Sequence, residues 1–178
     1  MEHAGTTDEL FRFPPGSALP DVTLPDQDGI ARRLSDLPGG DPLVLHTYRG
    51  WFCPKERTFF RTVMLPLQEV AEVGYIRMVS VSVEPPEVSA ALRAGLDARW
   101  TFLSDVDRGW QQQLDLLEVT DLVHRPYLPT VMVLDPDLTV RASWNGYWMW
   151  GRPTLHDLWT ALRDSGEALR PDWIPPHG

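Results

Sequence analysis

Three short apolar runs constrain this chain more than any other feature: "PLVLHTY" at 42–48, "YIRMVSVSV" at 75–83 and "PTVMVLD" at 129–135. Runs of this length, rich in Val, Leu, Ile and Met and not interrupted by alternating charges, fill strands that are covered on both faces. The β-branched content of the second run reinforces the strand reading. A sheet built from such strands needs a layer of helices on each side. The third run continues as "PTVMVLDPDLTVRASW", which reads as a β-hairpin turning at Asp135-Pro136-Asp137.

The segments between these runs supply the helices. From Pro54 to about Val73, Phe60, Val63, Met64, Leu67, Val70 and Ala71 recur at helical spacing, and Pro66 within that stretch predicts a kink. "EPPEVSAALRAGL" has Pro86 near N1 and Gly95 near its end. "VDRGWQQQLDLLEV" is a weaker helix. Thr154, with Asp157 three residues on, predicts the cap of a last helix whose apolar stripe is Leu155, Leu158, Trp159 and Leu162. Two short strands are expected around a turn at Asp26–Gly29, and one short strand or loop at "WTFLSD".

The resulting order is β-β-β-α-β-α-β-α-β-β-α, an α/β chain with a mixed sheet between helices. At 178 residues one domain is expected. Its body is placed at 16–165, after a loose arm at 1–15 and before a Pro-rich tail at 166–178.

The formal charge of −9 disfavours nucleic acid and anionic membranes as partners. The single cysteine cannot close an intramolecular disulfide. With five scattered histidines it offers no metal-ligand spacing, so neither a metal nor another cofactor is expected. The first sixteen residues lack the apolar core of a signal peptide, and no run of 18 apolar residues is present. The expectation is therefore a cytoplasmic protein, in a compartment that keeps a free thiol reduced.

That thiol is Cys53, in "YRGWFCPKE". Pro54 is a natural N1 residue, because a helix does not need its missing N–H there. Cys53 then falls at the N-cap, where unpaired amides and the positive end of the helix dipole favour an anion. Arg49, Lys55 and Arg57 add positive charge nearby, and Glu56 opposes it. The thiolate is the reactive form of cysteine, so such a position makes Cys53 the candidate nucleophile. The competing reading is a small buried hydrophobe, which most free cysteines are.

The second half of the candidate site is "RPYLPTVMVLD", where Pro129 precedes a strand. Proline lacks a ladder donor, and a tight turn entered through a cis Leu128–Pro129 bond is the expected solution.

"GSALPDVTLPDQDG", "LVLHTYRGWFCP", "VSVEPPEVSAALRAGL", "FLSDVD" and "PTVMVLDPDLTVR", in this order, resemble the peroxiredoxin-like redoxins of the thioredoxin fold, the alkyl hydroperoxide reductase/thiol-specific antioxidant family. The likeness runs from about Gly16 to Leu162. "NGYWMWGRPT" further resembles one bacterial branch of these redoxins. The resemblance implies a central mixed sheet with helices on both faces and an N-terminal hairpin. It implies that Cys53 is the attacking cysteine and that Pro129 faces it.

The chain departs from the family pattern at three places. Peroxiredoxins carry Pro and Thr seven and three residues before the attacking cysteine, where this chain has His46 and Gly50. They begin the late strand with an arginine, where this chain has Pro129. The second cysteine of a C-x-x-C motif is replaced by Glu56. Arg49 or Arg125 could replace the missing arginine from another direction, and Arg125 reads equally as a surface residue. His46 reads as a core histidine in preference to a base, and His124 as solvated. Glu56 reads either as a proton carrier or as a solvated residue of the first helical turn. Trp51 is expected to wall the site, together with Gly50 and Leu128. Trp144, Tyr147, Trp148 and Trp150 read as packing under the last helix, and any exposed remainder as a homodimer surface or an apolar groove.

The leading expectation is a one-cysteine antioxidant that reduces peroxides and is restored by an external thiol. Two other readings stand beside it. One is monothiol exchange with disulfides such as glutathione adducts. The other is a binding module that keeps the fold without the chemistry.

Overall fold

The computed structural model describes residues 13–146 and 151–172. A ribbon of β1 (Thr23–Pro25) and β2 (Ala31–Arg33) opens the chain. The buried Asp26 closes its turn by accepting the N–H groups of Asp28 at 2.9 Å and Ile30 at 3.0 Å. Then follow β3 (Leu43–Thr47), α1 (Pro54–Phe59), a π-helical turn (Phe60–Met64), α2 (Leu65–Gly74), β4 (Arg77–Ser82), α3 (Pro86–Leu96), β5 (Thr101–Ser104), α4 (Gly109–Leu114), β6 (Thr130–Leu134), β7 (Val140–Asn145) and α5 (Leu155–Leu169). This is the expected element order.

The main sheet runs β5-β4-β3-β6-β7. β3, β4 and β5 are parallel, and β6 and β7 join antiparallel. β3 lies in the middle with every residue buried. The period of two along its strands sorts side chains into two apolar layers. Val44, Val131 and Val133 face one layer with Phe60, Met64 and Leu67 of the long helix and Leu158 and Leu162 of α5. Leu43, Leu45, Val79, Val81 and Met132 face the other with Leu103, Trp110 and Leu114. His46 shares the parity of Val44, and its ring lies against Phe59 and Phe60 at 5.1 Å between centroids.

Pro66 follows a π-helical turn, Phe60–Met64, in the long helix. It has no N–H for the Thr62 carbonyl, and its ring crowds that oxygen. The turn before it widens, so that the Leu65 N–H reaches back to the Phe60 carbonyl.

Several expectations are corrected. Among the described residues no peptide bond is cis, so Leu128–Pro129 is trans. Pro129 stands just outside the strand, where proline is tolerated, and the Thr47 hydroxyl bonds the backbone on either side of it. That hydroxyl donates to the Leu128 carbonyl at 3.1 Å and accepts the Thr130 N–H at 3.1 Å. α3 has Pro86 at its start and Gly95 next to its last residue, as expected, and closes on Asp97 in the left-handed conformation. α5 continues to Leu169, into the segment read as tail, and Trp159 is 43% exposed instead of joining the stripe. The Thr154–Asp157 capping box forms as expected. Trp144 packs partly buried against the α5 layer. Tyr147, Trp148 and Trp150, and most of the N-terminal arm, lie outside the described residues. Among the described residues no helix is long and apolar enough to cross a membrane.

Candidate active site

The C-terminal ends of β3, β4 and β5 lie at one edge of the sheet, where α/β folds gather their sites. The loop from β3 to α1 holds residues 48–53. Cys53 is the N-cap of α1, extended at φ −82° and ψ 116°, and Pro54 is at N1. The Cys53 N–H donates to the Gly50 carbonyl at 3.2 Å, and the Arg57 N–H closes the first turn on the Cys53 carbonyl at 3.2 Å. This arrangement leaves the amides of Lys55 and Glu56 at the helix start without an intrahelical acceptor. The Cys53 side chain is only 3% exposed, yet it belongs to neither apolar layer.

Its polar neighbour is Arg49, whose Nη1 stands 3.8 Å from Sγ. Nη2 of the same guanidinium donates to Glu118 at 3.1 Å and Asp121 at 2.8 Å. Two carboxylates therefore share the one cation beside the sulfur and reduce its field there. They also tie the segment after α4 to the cysteine loop. Phe52 strengthens that link by stacking on His124 at 3.7 Å between centroids. Glu118 and Asp121 are site residues with no local signal in the sequence.

Glu56, in the place of a second thiol, is fully buried. Arg152 clamps it with both terminal nitrogens, at 2.9 and 3.0 Å, and the Arg49 N–H adds a third bond at 3.3 Å. His46 Nε2 lies 3.3 Å from Glu56 Oε2, an ion-pair distance without hydrogen-bond geometry. Burial pushes the Glu56 carboxyl up, but His46 and Arg152 outweigh it and hold the group low, at about 2. Burial also lowers the His46 pKa, against the opposing pull of Glu56. Glu56 is thus neither a proton carrier nor a solvated residue but a fixed anion. His46 is a core histidine directed at Glu56, not at Cys53. Arg152 is the largest omission of the sequence reading. The signal that could have found it is the position of Glu56, three and four residues before Phe59 and Phe60 on the inward face of α1.

Gly50 adopts φ +147°, and a Cβ there would meet the Phe52 ring at 2.6 Å and Glu84 Oε1 at 2.8 Å. Glu84 follows β4 and accepts the Trp51 N–H on both oxygens at 3.1 Å. Burial raises its carboxyl to about 7, against the opposing effects of the Trp51 N–H and His124. The Trp51 side chain is 55% exposed. The Arg125 side chain is exposed and makes no hydrogen bond or ion pair among the described residues. Arg125 contributes its carbonyl, which accepts from Arg108 and from Gln111. Leu128 contributes its backbone, with its carbonyl on Thr47 and its N–H on the Leu116 carbonyl at 2.6 Å. Pro129 is buried just before the start of β6, and its carbonyl accepts the Gly146 N–H at 2.6 Å.

Chemically, the site presents one sulfur at a helix start, one shared guanidinium, and a loop anchored by buried carboxylates. The model of the AhpC/TSA family matches residues 15–143. Peroxidoxin BcpB from Mycobacterium tuberculosis superposes with a TM-score of 0.68 at 26% identity, over 91% of this chain and 99% of its own. Thiol peroxidase from Chromobacterium violaceum gives 0.70 at 18% identity, over 87% and 89%. Enterococcus faecalis AhpC gives 0.70 at 18%, over 92% and 99%. No curated protein matches the chain.

Proposed function

The chain belongs to the AhpC/TSA family, and on that premise we propose that it is a one-cysteine peroxide reductase acting through Cys53. The observation that carries the reading is the sulfur at the start of α1, outside both apolar layers and 3.8 Å from Arg49 Nη1.

The Cys53 thiolate attacks the terminal oxygen of a hydroperoxide. An S–O bond forms, the O–O bond breaks, and the departing alkoxide takes a proton from water. Cys53 is left as a sulfenic acid and the peroxide as an alcohol. The Arg49 guanidinium and the free amides of the first turn of α1 stabilise the charge that develops on the peroxide oxygens. Glu118 and Asp121 hold Arg49 in place, and the Glu56–Arg152 clamp holds its backbone. An external thiol then attacks the sulfenic sulfur and releases water. A second thiol breaks the resulting mixed disulfide and returns the Cys53 thiolate.

Access to the sulfur favours peroxide over disulfide as the oxidant. A small hydroperoxide needs little room, whereas a disulfide must bring two substituted sulfurs in line with a side chain that is 3% exposed. Recycling by thiol requires the 49–53 loop to open, so it is expected to be the slow half of the cycle. The test is thiol-fuelled peroxide consumption by the wild type and by Cys53→Ser. The reading requires turnover in the first and none in the second; equal consumption refutes it.

A further inference from the structure

A groove of about 480 Å³ runs between α1 and α3, from Trp51 down to Leu96. One wall is the apolar face of α3, with Val88, Ala91 and Leu92. The other is formed by the exposed Arg57 of α1 and Arg61 of the π-helical turn that follows it, and Trp51 also lines the groove.

The two arginines are one helical turn apart, so their guanidinium groups reach the same stretch of the groove. Most other arginines in this acidic chain carry a carboxylate partner, as Arg99 does with Glu69 and Arg141 with Asp135. Among the described residues neither Arg57 nor Arg61 makes an ion pair or a side-chain hydrogen bond. Glu87 also lines the groove but is not within ion-pair distance of either arginine. The groove thus combines an apolar wall, an aromatic residue and two cations with no ion-pair partner among the described residues.

We propose that this groove is a binding site for a free amphipathic carboxylate, an organic acid with one anionic head and an apolar chain. The head is read by Arg57 and Arg61 together, and the chain lies along Val88, Ala91 and Leu92 under Trp51. Pockets of this volume hold ligands of small-molecule size. Charge complementarity selects an anion despite the net charge of −9, because the two arginines give this one face a local positive potential. The site adjoins the cysteine loop but does not depend on its chemistry.

The probe is decanoate, used below its micelle concentration and titrated into Cys53→Ser by calorimetry and by tryptophan fluorescence. Saturable binding of decanoate is expected, with decanol at least about tenfold weaker, since a charge-assisted bond is worth about 1.5–3 kcal/mol. Arg57→Gln/Arg61→Gln should remove the preference for the acid. Leu92→Asp, which puts a charge on the apolar wall, should weaken both probes. Equal affinity for acid and alcohol, or an unchanged preference in the arginine variant, overturns the proposal. So does binding only to vesicles of anionic lipid and not to free decanoate. Peroxide plays no part in these measurements, so they can fail while the peroxidase reading stands, and the reverse.

Discussion

Replacing Arg152 with methionine isolates the buried clamp under the cysteine loop. Arg152 is 5% exposed at its side chain, and Glu56 is fully buried. Methionine keeps a long apolar chain near Phe59, over which the guanidinium sits at 5.2 Å. It removes two charge-assisted bonds, of 2.9 and 3.0 Å. Glu56 is left with the Arg49 N–H at 3.3 Å and the His46 imidazole beside it. Breaking one side of a buried ion pair costs about 3–5 kcal/mol. For a domain of this size each kcal/mol lowers Tm by about 2–4 °C, so a drop of about 6–20 °C is expected. The pH dependence supplies an independent check. The wild-type Glu56 carboxyl is depressed from 4.5 to about 2, so its stabilisation is present above 4.5 and lost as pH falls toward 2. In Arg152→Met that depression is lost, and burial favours the protonated acid. The stability gap between the two proteins, from urea unfolding, should be widest at pH 7 and close toward pH 3. Removing both charges with Glu56→Leu/Arg152→Met should recover much of the loss. A gap under about 1 kcal/mol at pH 7, or one that does not narrow in acid, refutes the clamp.

Three further outcomes follow from the loop. Gly50→Ala forces a Cβ into the Phe52 ring and Glu84 at φ +147°, and should cost about 1–3 kcal/mol in denaturant unfolding. Glu84 binds its proton more tightly in the folded chain, at about 7 against 4.5, so wild-type stability should fall as pH rises through that window. Glu84→Gln should flatten that slope, which thermal melts across pH 4–8 would show. Arg49→Gln should slow the oxidation of Cys53 by as much as about 10²–10³-fold, the worth of one preorganised donor, as read by sulfenic-acid trapping.

Legibility in the sequence divides along a physical line. Features set by neighbours in the chain were readable. β3, β4 and β6 followed from apolar runs, the Cys53 N-cap from Pro54, and the start of α5 from Thr154 and Asp157. Features set by distant partners were not. Arg152 is 96 residues from Glu56, and Glu118 is 69 from Arg49. Pairing a particular arginine with a particular carboxylate needs the fold first. The trans Pro129 shows the same limit. The N–H of Thr130, the residue after it, is taken by a hydroxyl 83 residues away, and no local pattern announces that. The late end of α5 was lost for the opposite reason, since "RDSGEAL" is locally weak as helix and Gly166 resembles a stop.

The most direct test of the central claim is the second-order rate constant for oxidation of Cys53 by a small hydroperoxide at pH 7. It is followed in single turnover by trapping the sulfenic acid and counting it by mass spectrometry. The account predicts a rate well above that of free cysteine at the same pH and one equivalent of alcohol per sulfenic acid formed. A rate no faster than free cysteine would contradict it and leave Cys53 as a buried thiol in a retained fold.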